Sequence, residues 1–366
     1  MPVTAIGIIG SCAQSTDLAL RSAEKGMQVR IYDVARSALN LAMARVDWTL
    51  RKSGNREIAA NIEPVQKLDK LAGADIVIEA GNTSQERFLL FRKLEEVMGS
   101  SGIICIRCGH SDPFSVIGEV STPDRFVGMN LAEPVSVNRF AELARFEKTS
   151  DETLDLAVEY LKKLGKEPLV GRYSAGMISG RLLYMYILAG IVLLEKGRGL
   201  VHEIDSAVRE NMKVPAGPFE LVDRFGIDSF CGLGAYIYKS LGQPERFAPP
   251  KTADRLNQYG ECGRRSGLGF YVYEEGQIAG INPRLKDIVK YLGLSEALPG
   301  QLCAEIFSAV ATEAKLVAAD AMVSEYDVEL AVRMAFGWPK GPSGMAKEAG
   351  ESVVPGASGE LQGDLL

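Results

Sequence analysis

Residues 5–33, AIGIIGSCAQSTDLALRSAEKGMQVRIYD, read as a strand, a tight turn, a helix and a second strand. Ala5–Ile9 is a short apolar run rich in branched side chains, and Gly10 ends it with a residue free to take positive φ. A helix follows, with Ser15 and Thr16 as candidate caps, Leu18, Ala19 and Ala23 facing inward, and Gly26 as its stop. Val29–Tyr32 return as a buried strand that ends on Asp33. That order, with an acid about 20 residues past the turn, is the plan of a dinucleotide-binding βαβ unit. A carboxylate there accepts from ribose hydroxyls and repels a 2′-phosphate, so NAD is expected rather than NADP. The bland alternative is an acid that caps the next helix.

The turn departs from the usual GxGxxG. Glycines belong at positions 10, 12 and 15, and the chain has Gly10, Cys12 and Ser15. Cys12 adds a side chain where backbone normally approaches a pyrophosphate, whereas Ser15 is small enough for helix and strand to pack. The expected cofactor-binding residues are Gly10, Cys12, Ala13 and Gln14 on the turn, Asp33 at the second strand end, and Ala80 and Asn82 at a third.

A length of 366 residues calls for two or three domains. The formal charge of −6 is mild and its signs are mixed along the chain, which argues against nucleic acid as a partner. No stretch reads as the long uncharged apolar run of a membrane helix, and the N-terminus enters a strand directly, so a soluble cytoplasmic protein is expected. Six scattered cysteines make no disulfide framework. Cys105 and Cys108 have CxxC spacing, but no second pair completes a metal site, and packing is their expected role.

Further along, 37–52 reads as a helix with Leu41, Ala44, Val46 and Leu50 on one stripe, 75–79 as a strand, 82–97 as a helix, 103–107 as a strand, 113–120 as a short helix and 125–129 as a strand ending near Asn130. This alternation predicts a Rossmann-like, doubly wound parallel sheet with helices on both faces, and ligands bind beyond the carboxyl ends of such strands. Chemistry is expected at Gly10, Asp33, 80–82, 108–111 and 130–134.

From about Gly176 strand patterns give way to helices, beginning with the apolar stretch Met177–Lys196 and running to a basic glycine-rich turn, GRRSGLGFYVY, at 263–273. Residues 276–284 read as a linker. IDSAVRENMKVPAGPFELVDRFG at 204–226 then lines up with VELAVRMAFGWPKGPSGMAKEAG at 328–350, at a constant offset of 124. Shared residues include Arg209/Arg333, Pro215/Pro339, Gly217/Gly341 and Pro218/Pro342, so duplicated all-α domains are expected. The expected division is 1–175, 176–275 and 276–366.

The start ending in YDV, the strand VIEA, VPAGPFELVDRFG and GRRSGLGFYVY together resemble the 3-hydroxyacyl-CoA dehydrogenase family over nearly the whole chain. The resemblance implies oxidation of the 3-hydroxyl of an acyl-CoA, or its reverse, with NAD taking the hydride. It implies a histidine base in a string like GLHFFNP, which here is GMNLAEP, so the base is replaced by Asn130. An amide cannot exchange a proton near neutral pH. The glutamate that orients the histidine is kept as Glu142, and the substrate-holding serine matches Ser111. The family's substrate-binding asparagine falls on Gly180, an acid near the cofactor ribose on Thr83, and a lysine on Phe88. In longer family members the second helical copy stands where a partner subunit's domain stands in shorter ones, which implies a monomer or a homodimer.

Two other groups are candidates for the proton. His110 follows the strand 103–107 on the Asn130 side, and Glu142 becomes a base itself if burial raises its pKa. An exposed loop residue and a relic carboxylate are the bland readings of each. His202, ahead of a helix, is expected to cap or face solvent. Three functions stay open: a modified NAD-dependent dehydrogenase, a non-redox acyl-CoA enzyme of lyase or hydratase type, and a non-catalytic acyl-CoA or nucleotide-binding subunit.

Overall fold

The run Ala5–Ile9 forms β1, the third strand of an eight-stranded sheet ordered β3-β2-β1-β4-β5-β6-β7-β8 in a computed structural model. The structure describes residues 3–81, 87–100, 102–109, 112–290 and 297–351, in two compact units, Met1–Tyr173 and Ser174–Leu366. In the first unit β1 is followed by α1 (Ala13–Glu24), β2 (Gln28–Tyr32), α2 (Arg36–Ser53), β3 (Ile62–Val65), β4 (Ile76–Glu79), α3 (Arg87–Met98) and β5 (Ile103–Arg107). Then come α4 (Phe114–Ile117), β6 (Phe126–Leu131), β7 (Phe140–Arg145), α5 (Asp151–Lys163) and β8 (Glu167–Arg172).

Strands β1 to β6 are mutually parallel, and the inner ones, β1, β4, β5 and β6, are mostly apolar and buried because helices cover the faces. The doubly wound sheet is therefore present, but it is larger than the sequence reading. Strand β7 turns back antiparallel to β6, since the eight residues between them are too few for a crossover, and β8 runs parallel to β7. Strands β3 and β8 are the two edges, and each carries a proline, Pro64 and Pro168, which an edge tolerates.

Several local expectations are corrected. Helix α1 begins at Ala13, two residues earlier than its expected caps; Ser15 and Thr16 are buried within it, and the Thr16 hydroxyl donates to the Ala13 carbonyl at 2.7 Å. Leu18, Ala19 and Ala23 do face inward. Helix α2 buries Leu39, Ala42, Val46 and Leu50, while Leu41 is exposed, because the sheet side of the helix lies one residue round from the expected stripe.

The second unit holds α6 (Met177–Glu195), α7 (Val201–Met212), α8 (Pro218–Phe225), α9 (Ile227–Ser240) and α10 (Lys251–Gln258). A two-stranded hairpin follows, β9 (Tyr271–Glu274) and β10 (Gln277–Ile281), then α11 (Leu285–Ile288), α12 (Pro299–Ala321), α13 (Glu325–Phe336) and α14 (Pro342–Glu351). Most of the expected linker is thus β10. Helix α6 is long and apolar enough to cross a membrane, contrary to the sequence reading, but 78% of the qualifying window is buried among its neighbours.

Two strings that stood out in the sequence meet here. The Asp223 carboxylate, from VPAGPFELVDRFG, accepts from the Phe270 and Tyr271 N–H groups, both at 2.9 Å, and from the Tyr273 hydroxyl at 3.1 Å. Tyr271 in turn donates its hydroxyl to Asp205 at 2.8 Å, and Asp205 accepts from the first-turn N–H groups of Phe219 and Glu220. Burial outweighs these donors and pushes Asp205 up to about 7 and Asp223 to about 6.

Candidate active site

The turn after β1 is held from several sides. Gly10 has φ +93°, and its N–H donates to the Tyr32 carbonyl at 2.8 Å, tying the turn to the end of β2. A Cβ on Gly10 would lie 2.6 Å from the Cα of Gly81, and one on Gly81 would lie 2.8 Å from the Cα of Gly10. Two bare backbones therefore meet where β1 and β4 end. The surviving glycine of the turn is explained by this contact as well as by its φ.

Asp33 stands at the end of β2, where the reading of the turn placed it. Ser11 donates its hydroxyl to one Asp33 oxygen at 2.5 Å, and the Ala35 N–H donates to the other at 2.9 Å. Ala35 is the N-cap residue of α2, so the helix-capping reading of Asp33 has a contact in its favour. Ser11 escaped the sequence reading because a hydroxyl at that turn position carries no spacing signal.

Cys12 precedes α1, and its thiol donates to the Ala80 carbonyl at 3.4 Å and lies 3.3 Å from the Ser15 hydroxyl. The side chain that the altered motif added is thus folded against the end of β4. Ala80 is buried, with its N–H on the Ile9 carbonyl. Ala13 opens α1 and is exposed. Gln14 reaches across to the Leu131 carbonyl at 3.3 Å, at the end of β6. Asn82, with Thr83, lies outside the described residues.

Asn130 on β6 and Glu142 on β7 are register partners across the antiparallel pair. Directly opposed residues place their Cβ atoms about 5 Å apart, so the spacing of twelve residues becomes a side-by-side amide and carboxylate. Glu142 is almost fully buried and Asn130 half-buried. The Asn130 Oδ1 also lies against the loop after β5, 3.8 Å from where a Gly109 Cβ would stand. His110 and Ser111, next in that loop, lie outside the described residues. Cys105 and Cys108 are both buried and unbridged, and burial pushes both thiols well above the ordinary range.

Two features of this end of the sheet were missed in the sequence. Glu79, the last residue of β4, pairs with Arg87 of α3, whose Nε donates to it at 2.7 Å; Arg87 also donates to the Arg107 carbonyl at 2.8 Å, and the Arg107 N–H donates to Glu79 at 2.9 Å. The pair is buried and locks the ends of β4 and β5 together. The second feature is Lys166, whose ammonium donates to the Val135 and Asn138 carbonyls and so pins the loop between β6 and β7. Burial, assisted by Arg21, lowers its pKa to about 8. The Glu79 and Arg87 pairing spans eight residues and a strand-to-helix break, and Lys166 meets its acceptors from the turn just ahead of β8; neither is visible in a linear pattern.

Elsewhere, Gly180 sits in the first turn of α6, and a Cβ there would meet nothing within 4 Å. His202 is exposed in the first turn of α7, as expected, and Phe88 is half-buried on α3.

Comparison with known proteins matches residues 5–173 to the family model described as the NAD-binding domain of 3-hydroxyacyl-CoA dehydrogenase, and residues 176–273 to that of the C-terminal domain. A 3-hydroxybutyryl-CoA dehydrogenase of Bradyrhizobium diazoefficiens is 27% identical over 278 residues, covering 73% of this chain and 94% of its own. The human mitochondrial hydroxyacyl-coenzyme A dehydrogenase is 26% identical over 285 residues, covering 74% and 91%. Among solved structures, (S)-3-hydroxybutyryl-CoA dehydrogenase from Ralstonia eutropha superposes with a TM-score of 0.70 at 26% identity, over 75% of this chain and all of that one. The fold of 3-hydroxybutyryl-CoA dehydrogenase from Escherichia coli K12 matches more of the chain, 95% of it and 92% of its own, with a TM-score of 0.82 at 21% identity.

Proposed function

The chain belongs to the 3-hydroxyacyl-CoA dehydrogenase family, and from that premise we propose that it is an NAD-dependent oxidoreductase acting on a hydroxyacyl-CoA thioester, with Asn130 where the family has its histidine. The observation that carries the reading is the register pair Asn130 and Glu142, which keeps an amide and a carboxylate together at a strand end of the NAD-binding unit.

The residues present suit a dinucleotide. Gly10 turns the chain at positive φ with its bare backbone against Gly81, Asp33 offers a carboxylate for ribose hydroxyls, and the Cys12 thiol is turned onto the Ala80 carbonyl. Bound NAD supplies the hydride acceptor. The Asn130 amide N–H groups hold the substrate oxygen by donation, since an amide takes up no proton near neutral pH. The hydroxyl proton passes to His110 or to Glu142, the two groups whose sequence positions suit the task. Buried Glu142 orients the amide in either case. Ser111 adds a hydroxyl for the substrate. The enzyme is a soluble cytoplasmic one, acting as a monomer or homodimer.

Calorimetric titration with NAD and, separately, with acyl-CoA esters tests this. Binding of both supports the dehydrogenase. The amide in the base's position favours a second reading, a non-redox acyl-CoA enzyme on the same scaffold, and affinity for CoA esters with none for NAD would replace the first reading with that one.

A further inference from the structure

We propose that the two helical repeats of the second unit carry inverted charges at their shared contact, so that each fits the other repeat of the same chain and not a second copy of itself. The offset of 124 residues carries α7 onto α13, and carries α6 and α8 onto α12 and α14 to within two residues at either end. Local devices repeat with it. Lys213 and Gly337, which end α7 and α13, both take left-handed φ, +55° and +68°. Asp205 accepts from the start of α8, and its counterpart Glu329 accepts from the Ser343 N–H at the start of α14.

The repeats meet reciprocally. Helix α6 packs on α12, α12 packs on α7, and α13 packs on α6, as a two-fold relation between repeats requires. Arg181 on α6 is fully buried and meets two carboxylates of α12, Glu313 at 2.5 Å and Asp320 at 2.7 Å. Arg246 joins Glu313 from the other side at 2.7 Å. The position equivalent to Arg181 in the second repeat is Glu305, and it accepts from Arg198, just past α6, at 2.9 Å. The positions equivalent to Glu313 and Asp320 in the first repeat are Ala189 and Lys196. A cation faces acids at one end of the contact, and an acid faces a cation at the other.

Homotypic pairing through this face loses that match. Two first repeats would set the buried Arg181 guanidinium against Ala189 and Lys196 in place of its carboxylates. Two second repeats would set Glu305 against Glu313 and Asp320. A buried charge stripped of its partner and opposed by a like charge is strongly disfavoured, and discrimination between partners arises from such repulsion as much as from attraction.

The half-exposed pair Arg198 and Glu305 gives a test that leaves the buried cluster intact. In the full-length chain, Glu305→Arg and Arg198→Glu each lower the thermal midpoint, and the two together restore most of it, because the swap rebuilds an opposite pair. A double variant whose loss equals the sum of the single losses would overturn the proposal. In light scattering the unaltered chain keeps the mass of one chain as concentration rises. A two-chain species that Glu305→Arg or Lys196→Glu tightens, as removing the like charges would do, would show that the face pairs between chains, and would also overturn it.

Discussion

Replacing Gly26, Gly81 and Gly10 with alanine, one at a time, separates two costs at the first turn of the sheet. Gly26 has φ +78° with open space where a Cβ would stand, so Gly26→Ala carries backbone strain alone, about 1–2 kcal/mol. Gly81 has no such φ, but its Cβ would sit 2.8 Å from the Cα of Gly10, and a backbone neighbour cannot rotate away. Gly81→Ala therefore carries overpacking alone, about 1–3 kcal/mol. Gly10 combines φ +93° with a Cβ 2.6 Å from the Cα of Gly81, so Gly10→Ala should cost about the sum, roughly 2–5 kcal/mol. Urea unfolding gives the three values, followed by the fluorescence of Trp48 in a Trp338→Phe background so that the sheet unit is read separately. NAD titration of the same proteins should show weakened binding for the Gly10 and Gly81 variants and unchanged binding for Gly26→Ala. If Gly10→Ala unfolds no more easily than Gly26→Ala, the backbone contact between the ends of β1 and β4 is not what the turn is built on.

Three further outcomes follow from the geometry. Arg87→Met takes the counter-charge from the buried Glu79 carboxylate and should cost about 3–5 kcal/mol in chemical denaturation, whereas Arg51→Ala, which breaks an exposed pair with Asp47, should cost under about 1 kcal/mol. Asp205 is raised to about 7, so between the ordinary carboxyl range and that value the folded chain holds a proton that the unfolded chain has released; stability should fall as pH rises through this window, the Asp205 carboxyl carbon should titrate near the top of it by NMR, and Asp205→Asn should flatten the slope. Gly180→Ala fills open space inside a helix and should raise stability by about 0.5–1 kcal/mol in thermal unfolding; a loss would mean that the space is needed by the backbone's surroundings.

The sheet was legible where sequence periodicity and burial coincide. Strands such as Ala5–Ile9 and Ile103–Arg107 are buried on both faces and read as continuous apolar runs. The edge strands were not legible, because Pro64 and Pro168 suppress a strand reading that only an exposed edge permits. Strand β7 hid for another reason: Glu142 interrupts its apolar pattern, and a carboxylate in that strand makes sense only once Asn130 stands opposite it. At the candidate site, the places of Gly10 and Asp33 at two strand ends were readable from spacing. Gly81, Ser11 and the Glu79 and Arg87 pair act through contacts between distant strand ends, and no spacing rule announces those. Within the second unit, helix boundaries recurring at the offset of 124 match what the repeated Pro and Gly punctuation led one to expect.

The most direct measurement is NADH formation from NAD and a short 3-hydroxyacyl-CoA, compared between the unaltered chain and Asn130→His, His110→Ala and Glu142→Ala. The account predicts slow formation by the unaltered chain, a faster rate once the imidazole is restored at position 130, and loss of most of the rate in the variant that removes the group taking the proton. Turnover of the thioester with no NADH formed, in the unaltered chain and in Asn130→His alike, would contradict it.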